Sequence, residues 1–290
     1  MDSMTAVYIA QGLHGLAYGM LLFLVASGLT LIFGMMGILN LAHASFFMLS
    51  SYFCYQVVQM TGSFWMGLLI APLATAVVGV LVERLMLRRL RAFGHVGELL
   101  VTVGLMLIIL ESVQYFWGTE SLPLPPPEML EGMVSIAGIN YPIYRLFVIG
   151  MSLLVLIILF LILFKTRLGM IVRAAVNDAD MVNALGINIP VIFSMVFAIG
   201  TWMAGVAGVA IAPIITVFPG LADQIGMDAF LVVITGGFGS LGGAFLVSLI
   251  FGFLNSYGIQ FVSQLAPVLM FIFMAIVLII KPMGLFGERE

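Results

Sequence analysis

The chain has 290 residues, 63% of them hydrophobic and 8% charged, with a formal net charge of −3 and a mean hydropathy of +1.26. A soluble core of this size cannot absorb so much apolar surface, so the composition excludes an ordinary water-soluble domain and predicts an all-α polytopic membrane protein. The lone cysteine, Cys54, excludes a disulfide framework and a Cys/His zinc site.

The opening MDSMTAVYIAQGLHG lacks the basic segment of a secretory signal, so the first apolar stretch reads as a retained helix. Apolar stretches fall at 11–33, 39–58, 64–82, 98–117, 143–164, 191–217, 227–234, 244–262 and 267–280. Most can cross a hydrocarbon core of roughly 30 Å. The 227–234 stretch is too short to cross alone and reads as a broken or re-entrant piece, so about eight full spans plus this short one are expected. Lys and Arg set the orientation. Arg84, Arg88, Arg89 and Arg91 lie between the third and fourth stretches, Lys165, Arg167 and Arg173 in the central loop, and Lys281 and Arg289 at the end. Only Arg145 lies elsewhere. These regions read as cytoplasmic, which puts the C-terminus inside and the N-terminus, with Asp2, outside. Glu120, Glu128, Glu131, Asp223 and Asp228 then fall in outer loops. The whole of 1–290 reads as a single transmembrane domain.

Two Gly-rich breaks interrupt the apolar pattern. FGMMGILNLAHASFF places Asn40, His43 and Ser45 at the start of a helix, and TGGFGSLGG places Thr235 and Ser240 among five glycines that include Gly237 and Gly239. Glycine permits a helix to break and backbones to approach, and a half-helix that begins inside a membrane aims N–H groups at a cavity. The breaks read either as the lining of a route or as close-packed helix crossings. Their spacing also outlines a weak parallel repeat, with Gly34-Met-Met-Gly37 matched by Gly236-Gly-Phe-Gly239. His43 reads more readily as a hydrogen-bonded structural residue than as a proton carrier. Glu111 is the most interior acid in the sequence and hence a candidate coupling residue, although Gln114 and Tyr115 stand at helical spacing to share its hydrogen bonds.

Between the spans, residues 119–142 carry LPLPPPE, which predicts a stiff extended strip, either a docking ledge or a connector. Residues 165–190 form the longest polar break. Leu168, Ile171, Val172, Ala175, Ala179 and Val182 share one helical face, with Arg173, Asn177 and Asp180 opposite. Asp178 is placed to cap a second short turn, 179–185, closed by Gly186. This is a folded element rather than a slack linker. The 21 methionines and 23 phenylalanines read as lipid-facing and gap-filling material. Catalytic signatures are missing: there is no HExxH, no nucleophile elbow around Gly150-Met-Ser152 and no Walker A sequence, so ATP hydrolysis by that route is excluded.

RAAVNDADMVNALGINI (173–189) resembles the cytoplasmic coupling segment of the LivH-type branched-chain amino acid ABC transporter permease family. SGLTLIFGMMGILNLAHASFFMLSSY (27–52) and VVITGGFGSLGGAFLVSLIFG (232–252) resemble two further blocks of that family, in the same order. The resemblance covers the chain from end to end. It implies a multi-pass permease subunit of the bacterial inner membrane, with branched-chain amino acids or a related small carboxylate or amide as substrate. It also implies a LivM-like second permease, two ABC ATPase subunits that bind ATP and magnesium, and a periplasmic substrate-binding protein, with no cofactor in this chain and no nucleic acid partner. Carried over by matching position, Ala174, Ala175, Asn177, Asp178, Gly186 and Ile187 match the coupling segment, with Arg173 and Asp180 beside them. Asn40, Ala42 and His43 match the first break, and Gly236, Gly237, Gly239, Ser240 and Gly243 the second. Ala44 and Ser45 replace the family's Gly-acid pair after the histidine, and Arg173 stands where the broader importer pattern has Glu. The competing reading is a secondary transporter or channel for a small polar solute. That class normally needs buried acids or ion pairs, and Glu111 is the acid on offer.

Overall fold

The computed structural model describes residues 3–90, 94–136 and 138–287; Asp2, Arg91 and Arg289 lie outside the described residues. The helices are α1 (Ser3–Met36), α2 (His43–Thr61), α3 (Phe64–Val82) leading through a π-turn (Glu83–Leu87) into α4 (Arg88–Leu90), α5 (Gly94–Trp117), α6 (Ile143–Lys165), α7 (Arg167–Asn177), α8 (Ala179–Ala184), α9 (Ile189–Ile211), α10 (Leu221–Gly236), α11 (Leu241–Phe261) and α12 (Ala266–Ile280). Among the described residues six helices are long and apolar enough to cross a membrane: Met4–Met36, Phe64–Leu87, Gly97–Trp117, Ile143–Lys165, Ile189–Ile211 and Leu241–Phe261. The chain is a multi-pass helical membrane protein. The other three expected stretches appear as α2, whose first turns bury a histidine and serines within the protein, and as the shorter α10 and α12.

Three details depart from the sequence reading. The 191–217 stretch does not continue as one helix, because α9 stops at Ile211 and the chain turns before α10. The 227–234 piece is not broken; it belongs to the continuous 16-residue α10. The outer loop is more than a proline strip and is not helical throughout. A 3-10 turn (Glu128–Leu130) precedes an antiparallel hairpin of β1 (Met133–Ile136) and β2 (Ile139–Pro142). A single bridge then ties Leu122 to Val217, in the α9–α10 turn. Prolines stiffen the first half of the loop, and the Val, Ile and Tyr after them suit paired strands.

The core is built around α1 and α9. In lipid the apolar effect does not drive helices together, so close backbone approach through small residues takes over. α11 runs antiparallel to α1: a Cβ on Gly19 would lie 2.8 Å from the Ser248 carbonyl, and Gly15 meets Gly252 one turn on. Ser256 Oγ then donates to the Gln11 carbonyl at 2.8 Å. On α9, Gly200 faces Gly28 of α1, Gly205 lies against Pro72 of α3, and Gly208 against Phe47 of α2. The α3–α9 seam continues through Gly79 against Thr201. α9 is thus the helix on which α1, α2 and α3 converge.

Candidate functional site

The first break is a turn between α1 and α2. The chain leaves α1 at Met36, and Gly37, with φ +67°, closes the turn through its N–H to the Phe33 carbonyl at 2.8 Å. It then climbs back along α1, because α2 begins beside residues in the middle of that helix. His43 Nε2 lies 3.1 Å from the Val25 carbonyl. The acceptor is a carbonyl, so Nε2 carries the proton and Nδ1 is an acceptor. Gly28 makes room for the ring: a Cβ there would sit 3.0 Å from Nε2. With a rise of 1.5 Å per residue, the Val25 contact puts the start of α2 roughly 13 Å along α1 from Gly34. It therefore opens inside the bundle, and the Ala42 N-cap supplies no side-chain hydrogen bond.

The polar groups at this start are buried and lack partners. Asn40, His43 and Ser45 are each 0–1% exposed. Both polar atoms of the Asn40 amide, Nδ1 of His43 and Oγ of Ser45 have no hydrogen-bond partner. Each such group carries a desolvation cost of about 1–3 kcal/mol, and a cluster of them is a place that calls for water or a polar solute. Gly226 of α10 closes one side, where an added Cβ would be 2.7 Å from the Ala44 Cβ.

The second break lies at a different depth. α10 ends at Gly236, and Gly237 (φ +98°) and Gly239 (φ +79°) turn the chain into α11. Ser240 caps α11, its Oγ accepting from Gly243 N–H at 3.1 Å. A Cβ on Gly34 would lie 3.1 Å from the Gly239 Cα, and the rings of Phe33 and Phe238 are 4.5 Å apart. The two glycine turns therefore touch each other, which neither segment reveals alone. Beyond α12 the chain returns to this point: Leu285 and Phe286 N–H donate to the Thr235 and Gly236 carbonyls at 2.9 and 3.1 Å, which occupies acceptors at the end of α10. Thr235 is buried with its hydroxyl unpartnered. Of the expected route residues, Thr235, Gly237, Gly239 and Ser240 thus form one group at the glycine turns, and Asn40, His43 and Ser45 form another deeper along α1.

The central segment folds as two helices. Thr166 Oγ1 accepts from Gly169 N–H at 3.2 Å and caps α7; Asp178 Oδ1 accepts from Met181 N–H at 2.8 Å and caps α8. Val172, Ala175 and Val182 are buried, and Ala174, Asn177, Asp178 and Asp180 face outward. Gly186 has φ +84°, a conformation costly for other residues, and its N–H bonds the Asn183 carbonyl at 2.9 Å. Asn188 then caps α9, so the segment feeds the central helix within a few residues. Arg173 is exposed on the same face as Asn177 and Asp180, as expected, but its side chain is not free. Its guanidinium folds back to donate to the Leu163 carbonyl and stands 5.0 Å over the Phe164 ring. The free carbonyls at the end of α6 attract the cation more locally than solvent does. Asn177 Nδ2 likewise bonds the Arg173 carbonyl at 3.1 Å.

Three residues were missed. Gly169 is buried where α7 meets α6, and any Cβ there would run into the Ile162 and Leu163 carbonyls. Its spacing from Val172 and Ala175 on the buried face was the available signal. Glu111 is exposed; the acids enclosed in this region are Glu98 on α5 and Glu83, the latter 0% exposed in the π-turn, accepting from Ser194 Oγ of α9 at 2.5 Å with Arg88 Nε 3.9 Å away. A π-turn widens the helix and re-aims a side chain, which a pattern of apolar residues does not announce. Asp228, expected in an outer loop, lies within α10, where Tyr18 Oη donates to it at 2.5 Å.

Closely packed crossing helices and a helix start that re-enters the bundle, lined by unpartnered polar groups, are the features of a multi-pass helical membrane protein with a polar spot inside its bundle. Comparison with known proteins places it more closely. The family model described as "Branched-chain amino acid transport system / permease component" matches residues 12–280, and the chain belongs to that family. It is 29% identical to the high-affinity branched-chain amino acid transport system permease protein BraD of Pseudomonas aeruginosa, over 98% of this chain and 97% of that protein. It is 26% identical to the LivH permease protein of Salmonella typhimurium, over 100% and 99%, and 24% to a probable LivH of Methanocaldococcus jannaschii, over 93% and 90%. No solved structure matches. The protein is a permease subunit of an ABC importer, not itself an enzyme.

Proposed function

We propose that this permease carries branched-chain amino acids, or a related small carboxylate or amide, across a bacterial inner membrane, with its N-terminus outside and its C-terminus in the cytoplasm. It works beside a LivM-like second permease, two ATPase subunits that hold ATP and magnesium, and a periplasmic binding protein. The α7–α8 pair is the surface on which an ATPase subunit pushes. Closure of the ATPases on ATP displaces α8, and the short link through Asn188 passes that displacement to α9. Because α1, α2 and α3 pack on α9 through glycines and Thr201, α9 cannot shift without re-registering all three, and the bundle has two packings rather than a soft continuum.

The observation that carries the route is the buried, unpartnered start of α2. Asn40, His43 Nδ1 and Ser45 Oγ offer donors and acceptors to a passing polar solute at a helix start free of charged side chains. Selectivity then rests mostly with the external binding protein. The test is uptake by proteoliposomes holding the complete transporter. Uptake of leucine that needs internal ATP and survives collapse of the proton gradient is the expected result. Uptake that follows the proton gradient and persists without ATP would overturn this reading in favour of a secondary transporter.

A further inference from the structure

Arg145 is the one basic residue that the charge pattern leaves away from the other clusters. It lies in the first turn of α6, at the opposite end of that helix from α7. Its guanidinium pairs with His14 Nδ1 of α1, so that ring nitrogen acts as an acceptor and the imidazole adds no charge. Tyr141, 1% exposed at the end of β2, packs with its ring centroid 5.0 Å from that of His14. The Tyr141 hydroxyl stands beside the guanidinium but completes no hydrogen bond of good geometry. Burial holds that hydroxyl above its ordinary range, against the smaller opposing pull of Arg145, so it is a proton donor at neutral pH.

The arrangement is short of an anion. Among the described residues the ion pair within 4.0 Å joins Arg88 to Glu83, and none reaches Arg145. A guanidinium has five N–H donors in a planar fork that matches a carboxylate, and His14 Nδ1 occupies only part of it. A half-buried cation with neutral neighbours is costly to hold unless an anion visits. The enclosure comes from the cluster itself: His14 and Arg145 are each half-buried and Tyr141 is almost fully buried beside them.

We propose that Arg145, Tyr141 and His14 form a carboxylate-binding site at the end of the bundle opposite α7 and α8, which receives the carboxylate of the solute before it enters. This rests on the permease reading. Guanidinium N–H groups and the Tyr141 hydroxyl donate to the two carboxylate oxygens, while His14 fixes the plane of the guanidinium. The site takes small monocarboxylates and rejects their neutral amides.

Phenylglyoxal, which modifies free guanidinium groups, reads this site directly on the full chain in detergent micelles free of phosphate. Peptide mass spectrometry follows Arg145, with exposed Arg167 as internal control. Millimolar isovalerate or leucine should slow modification of Arg145 several-fold, isovaleramide should not, and Arg167 should be unaffected by any of them. Tyr141→Phe should lose most of the protection while leaving Arg145 reactive. Equal rates of Arg145 modification with acid and amide would overturn the proposal. So would protection that arises in phosphatidylcholine nanodiscs without added acid and is not increased by it, since that assigns the guanidinium to a lipid headgroup. Uptake that proves independent of ATP would strike the permease reading and leave the protection result legible on its own.

Discussion

Replacing Gly169 by leucine is the most direct probe of the lever. The glycine is buried where α7 folds back on the end of α6, and a Cβ there would collide with the carbonyl oxygens of Ile162 and Leu163. Backbone on both sides leaves no flexible side chain to yield, so α7 must retreat by roughly 1 Å or more before its atoms reach ordinary contact. Two interactions go with that retreat. The Thr166 cap on Gly169 N–H is worth about 1 kcal/mol, and the Arg173 hydrogen bond to the Leu163 carbonyl about 1.5–3 kcal/mol as a charged donor. Together they shift the docked-to-undocked balance of α7 by on the order of 10²-fold. The α1–α11 and α3–α9 seams are untouched, so membrane insertion should be normal. In proteoliposomes with partner subunits, substrate-stimulated ATP hydrolysis should fall to the basal rate. Full stimulation with Gly169→Leu correctly inserted would refute the claim that α7 must stay seated on α6.

Asp178→Arg removes the α8 cap and should cost about 1 kcal/mol locally, whereas Gly186→Leu forces a side chain into φ +84° at about 1–2 kcal/mol. Both should lose stimulated ATP hydrolysis while their amounts in the membrane fraction hold, and retained stimulation in both would count against the segment's role. Ser240→Phe loses the α11 cap and places a ring beside the Gly34–Gly239 contact; it should reduce uptake to background, and wild-type uptake would remove the second break from the route. Glu83→Leu removes the carboxylate that Ser194 Oγ reaches at 2.5 Å, leaving it the longer bond to the Pro190 carbonyl at 3.2 Å, and should lower stability by about 1 kcal/mol, while Glu83→Gln, which still accepts from Ser194, should lie close to wild type. Thermal unfolding in detergent distinguishes them, and equal stability of Leu and Gln variants would mean that the buried hydrogen bond contributes nothing.

Much of the 165–190 segment was legible because its folding depends on local rules. Asp178, three residues before the N–H it binds, and Gly186, just past the last turn, are capping signals read within one helical turn, and both stand where the spacing put them. Residues whose meaning depends on a distant partner were not legible. Arg173 sits on the polar face by periodicity, yet its side chain is drawn to the end of α6. Glu111 lies in an apolar stretch and Asp228 near the edge of one, but exposure depends on which helix packs where: Glu111 faces out, and Asp228 turns towards Tyr18.

By itself, the sequence determined that this is a helical membrane protein, where its glycine turns fall and where its amphipathic segment between the spans lies. Those follow from transfer energy and backbone geometry, which act residue by residue. Only the tertiary structure decided that α2 starts roughly 13 Å back along α1 from Gly34, beside Val25, that Gly34 meets Gly239, that Glu83 is enclosed by Ser194, and that Arg145 finds His14 and Tyr141 rather than an acid. Each is a contact between helices far apart in the chain. In lipid such contacts are selected by the shape of small residues and the need to satisfy buried polar groups, not by any pattern along one helix.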